Sequence, residues 1–235
     1  PVELLRQFLD FKGFYDRDKL FWKDIVDVMM FVGAAPPGGG RAVITQRFTR
    51  HFNVMCMPEA SESSLQLIFS SILGGFLGSK FEPDVQRMML GTVQATINVY
   101  HQVSEELLPT PSKFHYTFNL RDISKVFQGV LMIRPRKCPD CETFARLWVH
   151  ECQRIFYDRF INRDDQEWFK KMISDNVNKF LKVNLSQESL FDKPIVFANF
   201  LKPDADPKFY EDVRDLGKLT SVLNDILDNY NMTFP

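Results

Sequence analysis

Residues 114–129 read FHYTFNLRDISKVFQG, and this stretch carries the clearest structural signal in the chain. Asn119 is a residue type that caps helix N-termini, and Asp122 stands three positions later, where its carboxylate can reach back to the cap amide. Apolar residues follow at helical spacing, at Leu120, Ile123, Val126, Phe127 and Val130. The pattern predicts a helix that begins after Asn119 and buries one face.

Arg121 places a positive charge in the first turn of this predicted helix. The N-terminus of a helix dipole is positive, so a cation there is unfavourable unless an anion in front of the helix is held by the guanidinium and the backbone amides together. A nucleotide phosphate is the obvious anion. The alternative is that Arg121 pairs with a carboxylate or reaches solvent, and the helix pattern alone favours this alternative.

Composition excludes few classes of protein. The 235 residues suggest one large domain or two small ones, and an apolar fraction of 45% is ordinary for a chain with a core. The formal net charge is −1, so we expect no nucleic-acid partner. No apolar run approaches the roughly 18 residues that cross a bilayer, and we expect no membrane partner.

The four cysteines do not form a disulfide framework in a chain of this length. Cys138 and Cys141 have the spacing of half a zinc site, with His150 and Cys152 further on. If residues 140–162 are helical, His150 and Cys152 point about 200° apart and cannot easily close on one ion. We therefore expect no metal site and reduced thiols.

The first 57 residues carry the pattern of an α/β unit. Residues 3–11 predict a short helix, and residues 13–22 an aromatic and charged connector. The dense apolar run over residues 25–34 is typical of a central parallel strand, and residues 53–57 form a shorter run of the same kind. A Gly-rich turn and a brief helix lie between the two runs. This order predicts the tail of an α/β unit with a partial parallel sheet.

From residue 61 onward the pattern is helical nearly throughout. Apolar residues recur at helical spacing over residues 65–76, 85–100, 144–160, 164–182 and 216–230. Pro109 and Pro111 interrupt the helices, and the prolines of residues 184–210 predict a connector. The aromatic residues of these helices are most simply core.

The sequence lacks the motifs that hold a nucleotide's β- and γ-phosphates. No Gly-x-x-x-x-Gly-Lys occurs, and the Gly-rich residues 36–41, PPGGGR, lack the Gly-Lys-Ser/Thr ending. No Walker B acidic pair follows an apolar strand. We therefore expect that the chain alone cannot assemble the Mg²⁺-nucleotide chemistry of phosphoryl transfer and takes no cofactor by itself.

Five separated motifs nevertheless resemble the third AAA+ module of an axonemal dynein heavy chain, in the family's order and over essentially the whole chain. They are PVELLRQ at residues 1–7, PPGGGR at 36–41, RFTRHF at 47–52, LLPTPSK at 107–113 and HYTFNLRD at 115–122. The resemblance implies an α/β AAA+ module fragment, with a partial parallel sheet followed by a mostly α-helical lid. We expect a fragment because the chain begins without methionine and in mid-domain.

The resemblance also implies how the chain is divided. Residues 1–57 would be the C-terminal part of the α/β subdomain, with the sensor 1 strand and the arginine-finger helix. Residues 58–183 would be the helical lid with the sensor 2 helix, and residues 184–235 the connector and helix that lead to the next module.

Two residues acquire roles through the resemblance. Arg47 would be the catalytic arginine finger offered to the nucleotide of a neighbouring module, with Arg50 as the weaker candidate, because a finger needs an always-charged guanidinium. Arg121 would be the sensor 2 residue that binds nucleotide and moves with the lid. Ala35 stands near the position where related modules often place an asparagine that orients water, and alanine offers no side-chain hydrogen bond. This favours slow turnover or nucleotide retention.

For the parent protein, the resemblance implies an ATP-driven, minus-end-directed microtubule motor of cilia and flagella. The module would hold ATP or ADP with Mg²⁺ in a regulatory role. Its partners would be the neighbouring AAA+ modules of the heavy chain, microtubules, and dynein light or intermediate chains. The location would be the axoneme of a cilium or flagellum, the cytoplasm and the cytoskeleton. Two alternatives remain: a structural spacer with a vestigial nucleotide site, and a non-dynein AAA+ protein.

Overall fold

The computed structural model describes residues 2–34, 44–58, 60–202 and 207–233. The chain forms two compact units, Pro1–Glu59 and Ala60–Pro235. The predicted division of the chain at residues 57/58 and 183/184 stays a prediction. The Gly-rich residues 36–41 and Ala35 lie outside the described residues.

The first unit consists of helix α1 (Val2–Phe11), the antiparallel strands β1 (Gly13–Tyr15) and β2 (Trp22–Asp24), and helix α2 (Gln46–Thr49). The ring of Phe8 stacks on Phe14 at 5.6 Å, which fixes α1 against the hairpin. The predicted helices over residues 3–11 and before residue 53 are confirmed.

The two apolar runs predicted as parallel strands form no strand among the described residues. Residues 25–34 and 53–58 are irregular, and side chains such as Phe31 and Met55 are exposed. The pairing that does form begins in the predicted connector over residues 13–22 and ends just beyond it, where Gly13 faces Asp24. The physical reason is that a parallel strand needs a neighbouring strand for its backbone groups, and among the described residues no strand pairs with either run.

The second unit is mostly helical, as predicted. Its helices are α3 (Glu62–Leu77), α4 (Pro83–Arg87), α5 (Met89–Glu106), α6 (Leu120–Val130), α7 (Cys141–Ile155), α8 (Arg163–Asn176), α9 (Gln187–Phe191) and α10 (Leu216–Thr233). Short 3₁₀ turns cover Gly78–Lys80, Pro135–Lys137 and Tyr157–Arg159. Strands β3 (Phe197–Ala198) and β4 (Glu211–Asp212) pair antiparallel.

One hydrophobic core joins helices α3 to α9. The ring of Phe69 on α3 stacks on Phe127 of α6 at 4.5 Å. Trp148 of α7 is fully buried, and its indole N–H donates to the Thr96 hydroxyl of α5 at 2.9 Å. The aromatic residues of these helices are therefore packed in the core, as the sequence predicted.

The helix predicted over residues 164–182 changes its geometry before it ends. Helix α8 continues as a π-helical turn, Val177–Leu181, which brings the carbonyl of Phe180 against Gly91 of α5. A Cβ at residue 91 would clash with that carbonyl. Gly91 thus permits the close backbone approach, and Lys182 ends the turn in the left-handed region at φ 56°.

The predicted connector over residues 184–210 is more ordered than its prolines indicate. It contains helix α9, whose Leu190 is buried, and the strand β3 that pairs with β4. Residues 195–202 and 207–212, which we name the β3–β4 segment, are hydrogen-bonded to side chains of α7 at Asp212, Ile195 and Tyr210. Helix α10, predicted over residues 216–230, is confirmed and buries none of its residues.

Candidate functional site

The N-terminus of α6 has the cap that the sequence predicts. The Asn119 side chain accepts a hydrogen bond from the Arg121 amide at 2.9 Å, and Asp122 accepts one from the Asn119 amide at 3.0 Å. Asp122 is buried, although it is charged. This reciprocal capping box fixes the first turn of α6, and therefore the backbone from which the Arg121 side chain extends.

Arg121 itself is exposed, and among the described residues its guanidinium has no ion-pair or hydrogen-bond partner. The backbone amide of Arg121 is already bonded to the cap. An anion in front of α6 would therefore meet the guanidinium rather than this amide. Of the alternatives that the sequence left open, a carboxylate partner is not found in the described part of the chain.

The loop before α6 is held by Arg159, which follows α7 in a 3₁₀ turn. One terminal nitrogen of Arg159 donates to the carbonyls of His115 and Thr117, both at 2.8 Å. The other terminal nitrogen lies 3.3 Å from Asp122 Oδ2, and the guanidinium carbon lies 4.5 Å from the centre of the Phe118 ring. A single guanidinium thus contacts the loop, the cap carboxylate and an aromatic face.

Asp165, in the first turn of α8, holds the beginning of the same loop. Its Oδ2 accepts from the Lys113 ammonium at 2.6 Å and from the Tyr116 hydroxyl at 2.9 Å. The Tyr116 oxygen in turn accepts from the Ile161 amide at 3.1 Å. The hydrogen bond that Lys113 donates to Asp165 raises the pKa of Lys113, and burial raises the pKa of Tyr116. Both groups therefore keep their protons at neutral pH.

Sequence reasoning missed Arg159 and Asp165 as residues that shape this site. Arg159 lies inside the stretch 140–162, where the sequence predicts one helix, whereas α7 ends at Ile155. Asp165 resembles an ordinary acidic residue at a helix start. Their partners lie 44 and 52 positions away in the sequence, and no local pattern reports such pairings.

A buried carboxylate connects α6, α7 and the β3–β4 segment. Glu151 of α7 is fully buried. It accepts from Arg154 at 2.8 Å and, through Oε1, from the Tyr210 hydroxyl at 2.6 Å. Gly129 of α6 lies directly against this carboxylate. Burial raises the pKa of Tyr210, and the hydrogen bond to Glu151 adds to the effect.

Two further contacts fix the β3–β4 segment to α7. Arg146 pairs with Asp212 at 3.2 Å, and its second nitrogen reaches the other oxygen at 3.3 Å. His150 Nδ1 lies 3.0 Å from the Ile195 carbonyl, so a neutral ring donates there. Burial lowers the pKa of His150, which favours that neutral ring.

Arg47 lies on α2, and its guanidinium is well exposed. The carboxylate of Glu3 lies 3.8 Å away. Glu3 is bonded more closely to Arg6 at 2.7 Å, and this hydrogen bond is the main cause of its lowered pKa. The pairing with Arg47 is thus at the outer limit of an exposed ion pair, which contributes little to stability.

Arg50, the weaker finger candidate, directly follows α2 and is held to α1. Its guanidinium lies 3.3 Å from Asp10, which also contacts Arg6 and lies 3.1 Å from His51. Arg50 therefore belongs to a cluster of charged side chains around Asp10, whereas Arg47 has only the long contact with Glu3.

The cysteines give no sign of a metal centre in the described residues, where no group of three His, Cys, Asp or Glu is placed to hold an ion. Cys138 and Cys152 are buried, and burial raises the pKa of Cys138 to about 12. His150, the other zinc candidate, bonds a backbone carbonyl instead. Among the helices described, none is long and apolar enough to span a membrane.

Comparisons with known proteins agree with this architecture. A family model described as the P-loop containing dynein motor region matches residues 1–60, and a model of the AAA+ lid domain matches residues 92–191. The chain is 47% identical over its whole length to human dynein axonemal heavy chain 6. It is 42% identical over 98% of its length to mouse dynein axonemal heavy chain 1, and 39% identical over 98% to mouse dynein axonemal heavy chain 3.

The chain spans only 6% of the length of each of these relatives. The alternative of a non-dynein AAA+ protein is set aside by these alignments. The first match covers the unit with Arg47, and the second covers both Arg121 on α6 and Arg159 in the turn after α7. The chain therefore belongs to the axonemal dynein heavy-chain family, as an AAA+ fragment with a mostly helical lid.

Proposed function

We propose that this chain is the C-terminal part of the third AAA+ module in an axonemal dynein motor. The parent would be an ATP-driven, minus-end-directed microtubule motor in the axoneme of a cilium or flagellum, within the cytoplasm and cytoskeleton. The module would bind ATP or ADP with Mg²⁺ and regulate the ring rather than drive it. Its partners would be the neighbouring modules, microtubules, and dynein light or intermediate chains. The names of the relatives and the order of the five motifs support this proposal.

The exposed guanidinium of Arg121 is the observation that carries the nucleotide role. It opposes the dipole of α6 and has no ion-pair partner among the described residues, while its backbone is fixed by a complete capping box. A charge-assisted contact to phosphate would offset that opposition, at about 1.5–3 kcal/mol. The position thus favours a ligand contact over a structural ion pair.

The test of this role is Arg121→Ala in the full motor polypeptide, with Lys125→Ala as the control on the same helix. We expect Arg121→Ala to speed the release of a fluorescent ADP analogue from this module, and Lys125→Ala to leave release unchanged. Melts of the 235-residue chain should show Arg121→Ala as stable as the parent or slightly more so, because the dipole conflict is removed. Unchanged release would remove Arg121 from the nucleotide site.

The role of Arg47 is tested separately in the preceding module. A finger neutralises charge on the transferred phosphoryl group, so Arg47→Ala should slow hydrolysis there by roughly 10³-fold or more. Arg17→Ala, another exposed arginine of the first unit, serves as the control. Equal turnover in the Arg47→Ala and Arg17→Ala motors would remove the finger role from Arg47.

The second candidate function is a purely structural spacer of the ring with a vestigial nucleotide site. The buried bond between Glu151 and Tyr210 favours it, because this bond ties the lid helices to the segment before α10. A spacer would tolerate Arg121→Ala and Arg47→Ala without a change in nucleotide release or hydrolysis. The two experiments therefore separate the candidates.

A further inference from the structure

We infer that Arg159 is the positioning residue for Arg121: it holds the backbone before α6 so that the Arg121 guanidinium is presented in one place. The inference rests on the proposed nucleotide role of Arg121. Arg159 itself would not contact the nucleotide, because its guanidinium is directed into the loop over residues 115–118 and toward Asp122.

The contacts of Arg159 surround the cap of α6 on both sides. The carbonyls of His115 and Thr117 precede Asn119, and Asp122 follows Arg121. Asp122 Oδ2 is shared between the Asn119 amide and Arg159. Movement of the Arg159 guanidinium would therefore shift the chain before the cap and the carboxylate after it together.

A lysine cannot reproduce this set of contacts. The two carbonyls and the carboxylate are met by two nitrogens of one planar group, which also lies over the Phe118 ring at 4.5 Å. A Lys ammonium is a single point with a different reach, so it cannot meet both carbonyls and Asp122 with the same geometry. The backbone carbonyl of Arg159 also lies 2.9 Å from the His115 ring. An Arg159→Lys substitution changes only the side chain and leaves this backbone contact in place.

Asp165 is the second residue that holds the loop before α6, so Arg159→Lys should loosen only part of that loop. Asp165 holds Lys113 and Tyr116, and Tyr116 is buried. Loss of the Arg159 contacts should therefore loosen residues 117–122 without releasing the earlier part of the loop. The core packing of α6 through Ile123 and Phe127 is likewise untouched.

The experiment uses the full motor polypeptide, with nucleotide binding at its other AAA+ modules blocked by substitution of their P-loop lysines. Release of ADP carrying an N-methylanthraniloyl label is measured for Arg121→Ala, Arg159→Lys and the double variant. Arg163→Lys is the matched control, since Arg163 is an exposed arginine four residues further along.

We expect Arg121→Ala to speed release about tenfold, which is the scale of one charge-assisted hydrogen bond. Arg159→Lys should speed release at least about threefold, and the double variant should release no faster than Arg121→Ala alone. Arg163→Lys should match the parent. Amide hydrogen exchange should rise over residues 117–122 in Arg159→Lys, with an unchanged thermal midpoint.

Different failures have different meanings. If Arg121→Ala leaves release unchanged, the nucleotide role is wrong and the inference falls with it. If Arg121→Ala acts but Arg159→Lys does not, or if the two effects multiply, only the positioning role is wrong. Should Arg159→Lys prevent folding, Asp122→Asn removes one charge partner and keeps a cap acceptor. It must then show the same non-additive release with Arg121→Ala, and a multiplicative effect overturns the inference.

Discussion

At the scale of single residues, Glu151 shows how the helical unit keeps a charge inside its core. A buried carboxylate is strongly unfavourable unless its charge is compensated and its oxygens are hydrogen-bonded. Arg154 supplies the opposite charge through two nitrogens, and the Tyr210 hydroxyl supplies a donor from the β3–β4 segment. The side chain is thus satisfied only when that segment is docked on α7.

Tyr210→Phe should destabilise the chain, because it removes a hydrogen-bond donor from the buried Glu151 carboxylate. The ring is retained and the hydroxyl is lost, so Glu151 Oε1 remains buried without its partner. We expect the free energy of unfolding to fall by about 1–3 kcal/mol in urea titrations of the chain. Tyr15→Phe, at an exposed tyrosine, is the control. An equal and small effect in both variants would show that water replaces the hydroxyl.

His150, the residue before Glu151 on α7, should make the stability of the chain depend on pH. Burial lowers the pKa of His150 in the folded chain, so the unfolded chain takes up this proton first as the pH falls. The contribution of His150 is therefore fully present above its unfolded pKa of about 6.5, and it is lost as the pH falls from there toward the folded pKa. Glu151, Arg154 and Asp158 are the charged groups that act on it.

The measurement is the free energy of unfolding against pH for the parent chain and His150→Gln, which removes the titrating ring. We expect the parent to lose stability relative to the variant as the pH is lowered below about 6.5. Burial raises the pKa of Asp158, so at lower pH this carboxyl changes the free energy of unfolding in the direction opposite to His150. The comparison is therefore repeated with Asp158→Asn. Parallel curves for parent and variant would contradict the assignment to His150.

At the scale of elements, helices α6 and α7 approach each other where α6 has a glycine. Gly129 is buried, and a Cβ at this position would clash with the Glu151 carboxylate. Glycine normally weakens a helix interior, so its presence here is explained by the side chain that it accommodates. The contact brings the helix of Arg121 against the same carboxylate that Tyr210 holds.

Two glycine-to-alanine substitutions, one expected to destabilise the chain and one to stabilise it, test this packing. Gly129→Ala should destabilise the chain by about 1–3 kcal/mol, because the buried carboxylate must shift to admit a methyl group. Gly75→Ala, on α3 where a Cβ would meet no atom within 4 Å apart from its chain neighbours and the backbone of its own helix, should stabilise it by roughly 0.5–1 kcal/mol. Thermal and urea unfolding of both variants measure the difference. A neutral Gly129→Ala would mean that α6 and α7 adjust freely at this crossing.

The same elements show which features the sequence could reveal. The cap at Asn119 and Asp122 was predictable, because both residues act on the backbone within one turn. The apolar runs over residues 25–34 and 53–57 indicate burial in a sheet, but strand pairing depends on partners that the runs themselves do not specify. The β1–β2 hairpin was missed because aromatic and charged residues hide its alternation.

At the scale of the whole molecule, the second unit has one hydrophobic core, which is built from elements far apart in the sequence. The core cluster runs from Leu65 to Tyr210, and it includes residues from α3 to α9. The predicted connector thus contributes Leu190, Ile195 and Phe197 to the same core as the lid helices. Arg121 of α6 and the β3–β4 segment are therefore attached to the same core.

The last prediction concerns the chain as a nucleotide binder on its own. A dissociation constant of 1 mM corresponds to about −4.1 kcal/mol, and one charge-assisted contact supplies only about 1.5–3 kcal/mol. Arg121 alone therefore cannot give binding tighter than millimolar, and the sequence has no Gly-x-x-x-x-Gly-Lys to hold the β- and γ-phosphates. We expect titration of the 235-residue chain with labelled ATP to show no saturation below about 1 mM, and no ATP turnover. Micromolar binding that Arg121→Ala abolishes would reveal phosphate contacts beyond this arginine, whereas micromolar binding that survives Arg121→Ala would place the nucleotide elsewhere on the chain.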